Sequence, residues 1–168
     1  MYLVIEDLLI EKGVVRTGTL IFAEGKLTPA CSKSHIKYTF NLPVQSRRLN
    51  IDFEYQPKKL FDEERSKMLI QEGLRRFCEN PDENELNSWK SYMPLSNLLT
   101  ISIDDPKGFR GSVHRHTPVQ HLFITEDAAS PGLIQGSLPE GQWSVTISAH
   151  AVVTEECCYK LHVWEGDD

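Results

Sequence analysis

No stretch of this chain comes near the roughly 18 to 20 consecutive apolar residues that a membrane-spanning helix requires. Basic residues are also in the minority: 18 Lys and Arg against 24 Asp and Glu leave a formal charge of -6. A net negative field repels phosphates, and no basic run interleaved with aromatics offsets it, so a nucleic-acid partner is excluded. Cysteine is scarce. Cys31, Cys78, Cys157 and Cys158 show no C-x-x-C spacing. The adjacent pair Cys157 and Cys158 cannot readily close a disulfide with itself, and on a strand the two thiols point to opposite faces. Four reduced thiols in structural roles are expected, which fits a cytoplasmic protein. The opening MYLVIEDLLIEKG carries Glu6, Asp7 and Glu11. It lacks the positive n-region and the small-residue cleavage site of a secretory signal.

Catalytic signatures are missing as well. There is no G-x-S-x-G elbow, no phosphate-binding loop and no dinucleotide fingerprint, and no cofactor is expected. Ser130 and Ser137 lie in Pro/Gly turns without a partnered base. Asp104 and Asp105 open D-D-P-K-G, a turn in which Asp side chains bond backbone amides, and no EF-hand spacing surrounds them. Neither an internal repeat nor a low-complexity segment is present.

What the chain does have is alternation. At 168 residues it is long enough to bury a core without staples, and a single domain spanning 1–168 is expected. Ile36, Tyr38, Phe40 and Leu42 fall on one face of a period-two segment, and Leu49, Ile51, Phe53 and Tyr55 repeat the pattern. Further strands are expected at Leu98–Ile103, Gln120–Ile124, Trp143–Ile147, Ala149–Val153 and Tyr159–Trp164. Residues 1–30 read as two more, around Leu3–Ile10 and Thr19–Phe22. The spacing of turn signals predicts an all-β, antiparallel, jelly-roll-like sandwich of about eight to ten strands.

One segment breaks the pattern. DEERSKMLIQEGLRRFCE, about 62–79, is rich in helix formers, with acids first and Arg75-Arg76 near its end. That order complements the helix dipole, and Asp62 is a natural N-cap. The expected arrangement is one amphipathic helix within an insertion, 57–97, with residues 81–94 a polar connection over a sheet edge or end.

Histidines offer the sharpest chemical reading. Two histidines two apart on a strand share a face, as His114 and His116 would, and an imidazole pair suits zinc, iron or nickel. Completion would need His121, His150 or His162. Against this, the pair follows a glycine-containing turn and precedes Pro118, so a loop is equally open, and Arg115 between the histidines repels a cation. Trp89, Trp143 and Trp164 could stack on sugars. Trp143 alternates with the core face, which leaves Trp164, on the outward face of its strand, or Trp89 as the platform for a carbohydrate-binding module.

The segments FNLP, FEYQPK, LLTISIDDPKGFRGSVHRH, ASPGLIQGSLPEGQWSVTI and HAVVTEECCYKLHV occur in that order. Together they resemble the N-terminal β-sandwich that precedes the catalytic barrel in PHP-type metallohydrolases of the CehA/McbA-like branch. The most specific elements are DPKGFRG, Asp105–Gly111, and SPGLIQGSLPEGQW, Ser130–Trp143. The resemblance implies an accessory sandwich whose metal ligands belong to a following barrel. His114-Arg115-His116-Thr117 fits the H-x-H-[ST] opening of such a barrel literally, yet it lies upstream of the SPG…GQW strand. The residues after it fall far short of the ~200 that a βα barrel needs, so no catalytic residue carries over. The expectation is a non-catalytic accessory or interaction module, partnered with a PHP-type domain or with itself. Its contacts would lie on a turn face carrying Arg110, His114, Arg115 and His116. The competing readings are a small metal-dependent enzyme built on His114, His116 and His121, and a carbohydrate-binding module.

Overall fold

Alternating apolar and polar side chains shape nearly every strand of the computed structural model, which describes residues 18–166. In chain order the strands are β1 (Thr19–Leu27), β2 (Ser34–Leu42), β3 (Arg48–Gln56), β4 (Lys59–Leu60), β5 (Leu95–Ser96), β6 (Leu98–Asp105), β7 (Gly108–Val113), β8 (Val119–Thr125), β9 (Gly141–Ala151) and β10 (Cys157–Glu165). Between β4 and β5 lie the helices α1 (Glu63–Phe77) and α2 (Glu83–Asn87). The first sheet has the order β1-β10-β3-β8 and the second β2-β9-β6-β7, every neighbour antiparallel. Without the two-residue pair β4–β5, the chain alternates between sheets except at the β6–β7 hairpin, which is the double Greek key of a jelly roll.

The inward positions are those the alternation marks. Leu49, Ile51, Ile124, Leu161 and Val163 of the first sheet meet Ile101, Ile103, Val145 and Ile147 of the second, all at most 1% exposed. Full burial of each such side chain contributes about 1.5–3 kcal/mol relative to exposure. The Tyr38 and Tyr159 hydroxyls share a hydrogen bond of 2.6 Å, one from each sheet. Gly25, which reads as punctuation in the sequence, lies within β1 because a Cβ there would come 2.5 Å from the Tyr159 ring. The apolar piece Leu3–Ile10 falls outside the described residues.

Three local expectations change. The predicted break between Ile147 and Ala149 does not exist. β9 runs through it, because its pairing with β2 reaches Ala149 and a register shift between Leu98 and Leu99 lets β6 stay paired as far as Ala151. A strand, β7, follows the Asp105–Gly108 turn. Residues 81–94 hold a short helix and a 3-10 turn, Ser88–Tyr92, instead of a plain connection. Asp82 and Glu85 close a reciprocal capping box that starts α2.

The insertion is tied down at its base. Asp62 caps α1 by accepting from the Arg65 amide at 2.8 Å, and Arg65 Nε donates to the Val153 carbonyl at 2.9 Å. Asn97, fully buried, donates to Pro57 O and Thr154 Oγ1 and accepts from the Val153 amide. Ile70 and Trp89 are the insertion's buried anchors, whereas Phe77 stays 76% exposed. Among the described residues no helix is long and apolar enough to cross a membrane.

Candidate functional site

Arg110 departs most from its expected place. It points inward from β7 and is only 8% exposed. Its five N–H donors are all engaged, one with Asp105 Oδ2 and the others with the carbonyls of Ile134, Gly136 and Ser137. The guanidinium carbon lies 5.4 Å from the centroid of the Trp143 ring. Burial pushes the Asp105 carboxyl up, but the Arg110 hydrogen bond and charge, with the Lys107 and Gly108 amides, outweigh it and hold the group below its ordinary range. The two Asp105 amide contacts, at 2.6 and 2.9 Å, are the turn bonds expected of D-P-K-G. Arg110 is therefore a clamp within the scaffold and has no donor left for a ligand. The segments Asp105–Gly111 and Ser130–Trp143 are the two halves of that clamp.

The histidines separate into two groups on opposite outer faces. His114 and His116 occupy a loop after β7, not a strand, and both are exposed. Arg115 turns toward Pro131, donating to its carbonyl at 3.2 Å. His114 packs against His150, ring centroids 4.9 Å apart, on the outer side of the second sheet. There His150 bonds Thr100 Oγ1 at 2.8 Å and His35 bonds Ser148 Oγ at 2.9 Å. Burial, and then the charges of His114 and His35, lower the His150 pKa. His121 belongs to the first sheet, where Nδ1 lies 2.7 Å from Asp52 Oδ1. The described residues thus hold no group of three or more His, Cys, Asp or Glu side chains placed to bind a metal. The His114/His116/His121 metal reading is corrected on that ground.

Ser130, the turn serine, is occupied by the backbone. Ser130 is 6% exposed and its Oγ accepts from the Phe123 amide. Trp143 is fully buried, as expected, and Trp89 at 9% exposure cannot serve as an open platform. Trp164 does lie outward, stacked on His162 with centroids 4.6 Å apart.

Strand register gathers a second set of outward residues that no local motif marks. On the first sheet Phe22, His162, Asp52 and His121 form one cross-strand row, drawn from β1, β10, β3 and β8. The next row is Glu24, Lys160, Glu54 and Val119. Adjacent outward residues on neighbouring strands lie close enough to act together. Phe22 meets His162 edge-on at 5.8 Å, and His162 bonds Thr19 Oγ1 at 3.0 Å. Lys160 Nζ lies 3.3 Å from Glu24 and 3.9 Å from Glu54, holding both carboxylates. Over these rows run a cavity of about 370 Å³ and a smaller one of about 180 Å³ that share Glu54, Val119 and Lys160. The result is one groove across the face of the first sheet. Asp52 orients His121, and among the described residues no serine, threonine or cysteine is hydrogen-bonded to that imidazole, so the pair supports binding more readily than nucleophilic attack.

No protein-family model matches the chain, and no curated protein matches it. Among solved structures it is similar to a crystal structure of a protein from Sulfurospirillum deleyianum. The identity is 8%, with a TM-score of 0.33, over 88% of this chain and 99% of that one. A likeness of that size carries no argument about function.

Proposed function

We propose that this chain is a non-catalytic interaction module, a jelly-roll sandwich that serves as the accessory domain of a PHP-type metallohydrolase. The observation that carries the reading is the groove on the first sheet. Aromatic, carboxylate and imidazole side chains from all four strands meet there on a rigid platform, and Cys158, the one cysteine among the residues that line it, has no histidine bonded to its thiol among the described residues. The interaction face accordingly moves from the Arg110–His116 turn to this sheet. The link to a PHP-type barrel rests on the resemblance of Asp105–Gly111 and Ser130–Trp143, and both segments are scaffold in the fold. A cytoplasmic setting is supported by the four cysteines, all free thiols.

The test pairs the purified chain with a PHP-type phosphoesterase encoded beside it. The expected result is a complex on size exclusion and a changed KM for the phosphoesterase, while the chain alone hydrolyses no phosphoester in Mn²⁺, Zn²⁺ or Mg²⁺. Metal-dependent turnover by the chain alone would overturn the non-catalytic reading. Absence of any complex would overturn the accessory one.

A further inference from the structure

We propose that the groove across β1, β10, β3 and β8 binds a neutral oligosaccharide. The Phe22 ring would serve as its stacking platform, and Asp52 and Glu54 as acceptors for its hydroxyls. The proposal rests on the reading of this chain as a binding module and names the ligand class for its groove.

Phe22 stands on an outward strand position at 64% exposure, and Val119, 49% exposed, forms the apolar rim on the far strand. An isolated exposed apolar residue needs no explanation, but two bordering one groove form the kind of apolar lining that ligand sites use. The C–H faces of a pyranose ring are apolar and its edges are hydroxyls, so it can lie on an aromatic ring while its rim meets polar side chains. The groove supplies such a rim in ordered form. His121 holds Asp52 at 2.7 Å, and Lys160 lies within ion-pair reach of the half-exposed Glu24 and Glu54. A carboxylate offers about four acceptor sites, so one such contact leaves capacity for hydroxyl donors. Acceptors already held in place lose less freedom when a ligand arrives.

Charge and backbone select against other occupants. Glu24, Asp52 and Glu54 outnumber the nearby lysines, which disfavours a nucleic acid or another polyanion. A peptide that binds by strand addition needs an open sheet edge. The groove instead lies over β10 and β3, the interior strands, whose backbone groups are already paired on both sides. Recognition there must come from side chains, which suits a polyol. The combined cavity volume, about 370 and about 180 Å³ with shared lining, falls in the range of small-ligand sites.

The test is titration of the full chain, ¹⁵N-labelled, with maltohexaose, cellohexaose, mannohexaose and xylohexaose, followed by amide shifts and calorimetry. At least one sugar is expected to give saturable shifts at residues 22, 52, 54 and 121. Phe22→Ala and Asp52→Asn are each expected to weaken Kd about tenfold or more, with spectra that report an intact fold. His150→Ala, on the opposite sheet, is expected to bind like the unaltered chain. Silence toward all four sugars, shifts confined to the second sheet, or unchanged affinity in both groove variants would overturn the proposal. Chromatography of the same samples separates the two readings. A sugar that binds the groove and is cleaved would uphold this site while overturning the non-catalytic function.

Discussion

Arg110 Nη1 lies 2.9 Å from Asp105 Oδ2, and the two side chains are only 9% and 5% exposed. A buried ion pair stabilises a fold only when its remaining donors and acceptors are satisfied, because desolvating two charges costs several kcal/mol per ion. Here the guanidinium meets that condition through carbonyls of Ile134, Gly136 and Ser137, and Asp105 meets it through the Lys107 and Gly108 amides. One side chain thus joins the β6–β7 hairpin to the long connection between β8 and β9, directly over Trp143.

Removing the guanidinium should therefore be costly. Arg110→Ala leaves the buried Asp105 carboxylate without its cation and several carbonyls without donors. The expected loss is about 3–5 kcal/mol, as for other broken buried pairs. Urea unfolding should show a lower midpoint with an unchanged slope. Arg110→Lys keeps the charge but not the planar fork, so it should recover only part of the loss. A midpoint within error of the unaltered chain would mean that the clamp is incidental.

Gly111 tests the same junction from the backbone side. Its φ is +115°, and a Cβ there would overlap the Gly132 carbonyl oxygen and come 2.7 Å from Leu133 Cα, neither of which is a flexible group. Gly111→Ala combines a strained dihedral, worth about 1–3 kcal/mol by itself, with that backbone clash. Its thermal midpoint should fall clearly. Gly73→Ala makes the matched control. Gly73 lies inside α1 with nothing within 4 Å of its Cβ position, so the change should be neutral or stabilising.

How much of this could be read in advance follows from where the information lies. β2, β3 and β10 were legible because one face of each is buried and the other wet, which writes a period of two into residues such as Leu49, Ile51 and Phe53. The α1 cap was legible because capping is local, and Asp82-x-x-Glu85 carried an equally local signal for α2 that a reading of 81–94 as polar connection missed. The clamp was not legible, since an arginine beside histidines in a turn looks like a binding residue. What buries Arg110 is a loop more than twenty residues downstream, reaching it at Ile134. The groove was hidden for a related reason. Phe22, Asp52, His121 and His162 become neighbours only through the register of four strands, which no local pattern specifies.

His150 carries a pH prediction whose sign follows from its direction of shift. Burial, together with the nearby His114 and His35, lowers its pKa below the ordinary 6.5. Between the folded value and 6.5 the unfolded chain binds more protons, so this contribution to stability is full above 6.5 and declines as pH falls. Thermal midpoints measured from about pH 8 down to about pH 5 should fall across that window. His150→Gln, which can keep a hydrogen bond to Thr100 but cannot titrate, should flatten the fall. An equally steep decline in that variant would place the acid sensitivity elsewhere.

Cys157 and Cys158 supply a kinetic test of the first sheet, because adjacent strand positions face opposite ways. Cys157 is fully buried, and its thiol is pushed up to about 11 by burial and by the neighbouring Cys158 charge, against weaker opposing effects of Asn97 and Lys58. Only a thiolate attacks an alkylating reagent at a useful rate. In a timed iodoacetamide reaction near pH 8, Cys78, exposed at the end of α1, should be modified first, and the half-buried Cys31 and Cys158 should follow. Cys157 should react only as fast as β10 opens from between β1 and β3, a motion close to global unfolding for a strand paired on both sides. Peptide mapping by mass spectrometry distinguishes the adjacent pair after single Cys→Ser changes. If Cys157 were labelled as quickly as Cys158, β10 would not be an interior strand, and the cross-strand rows that build the groove would fall with it.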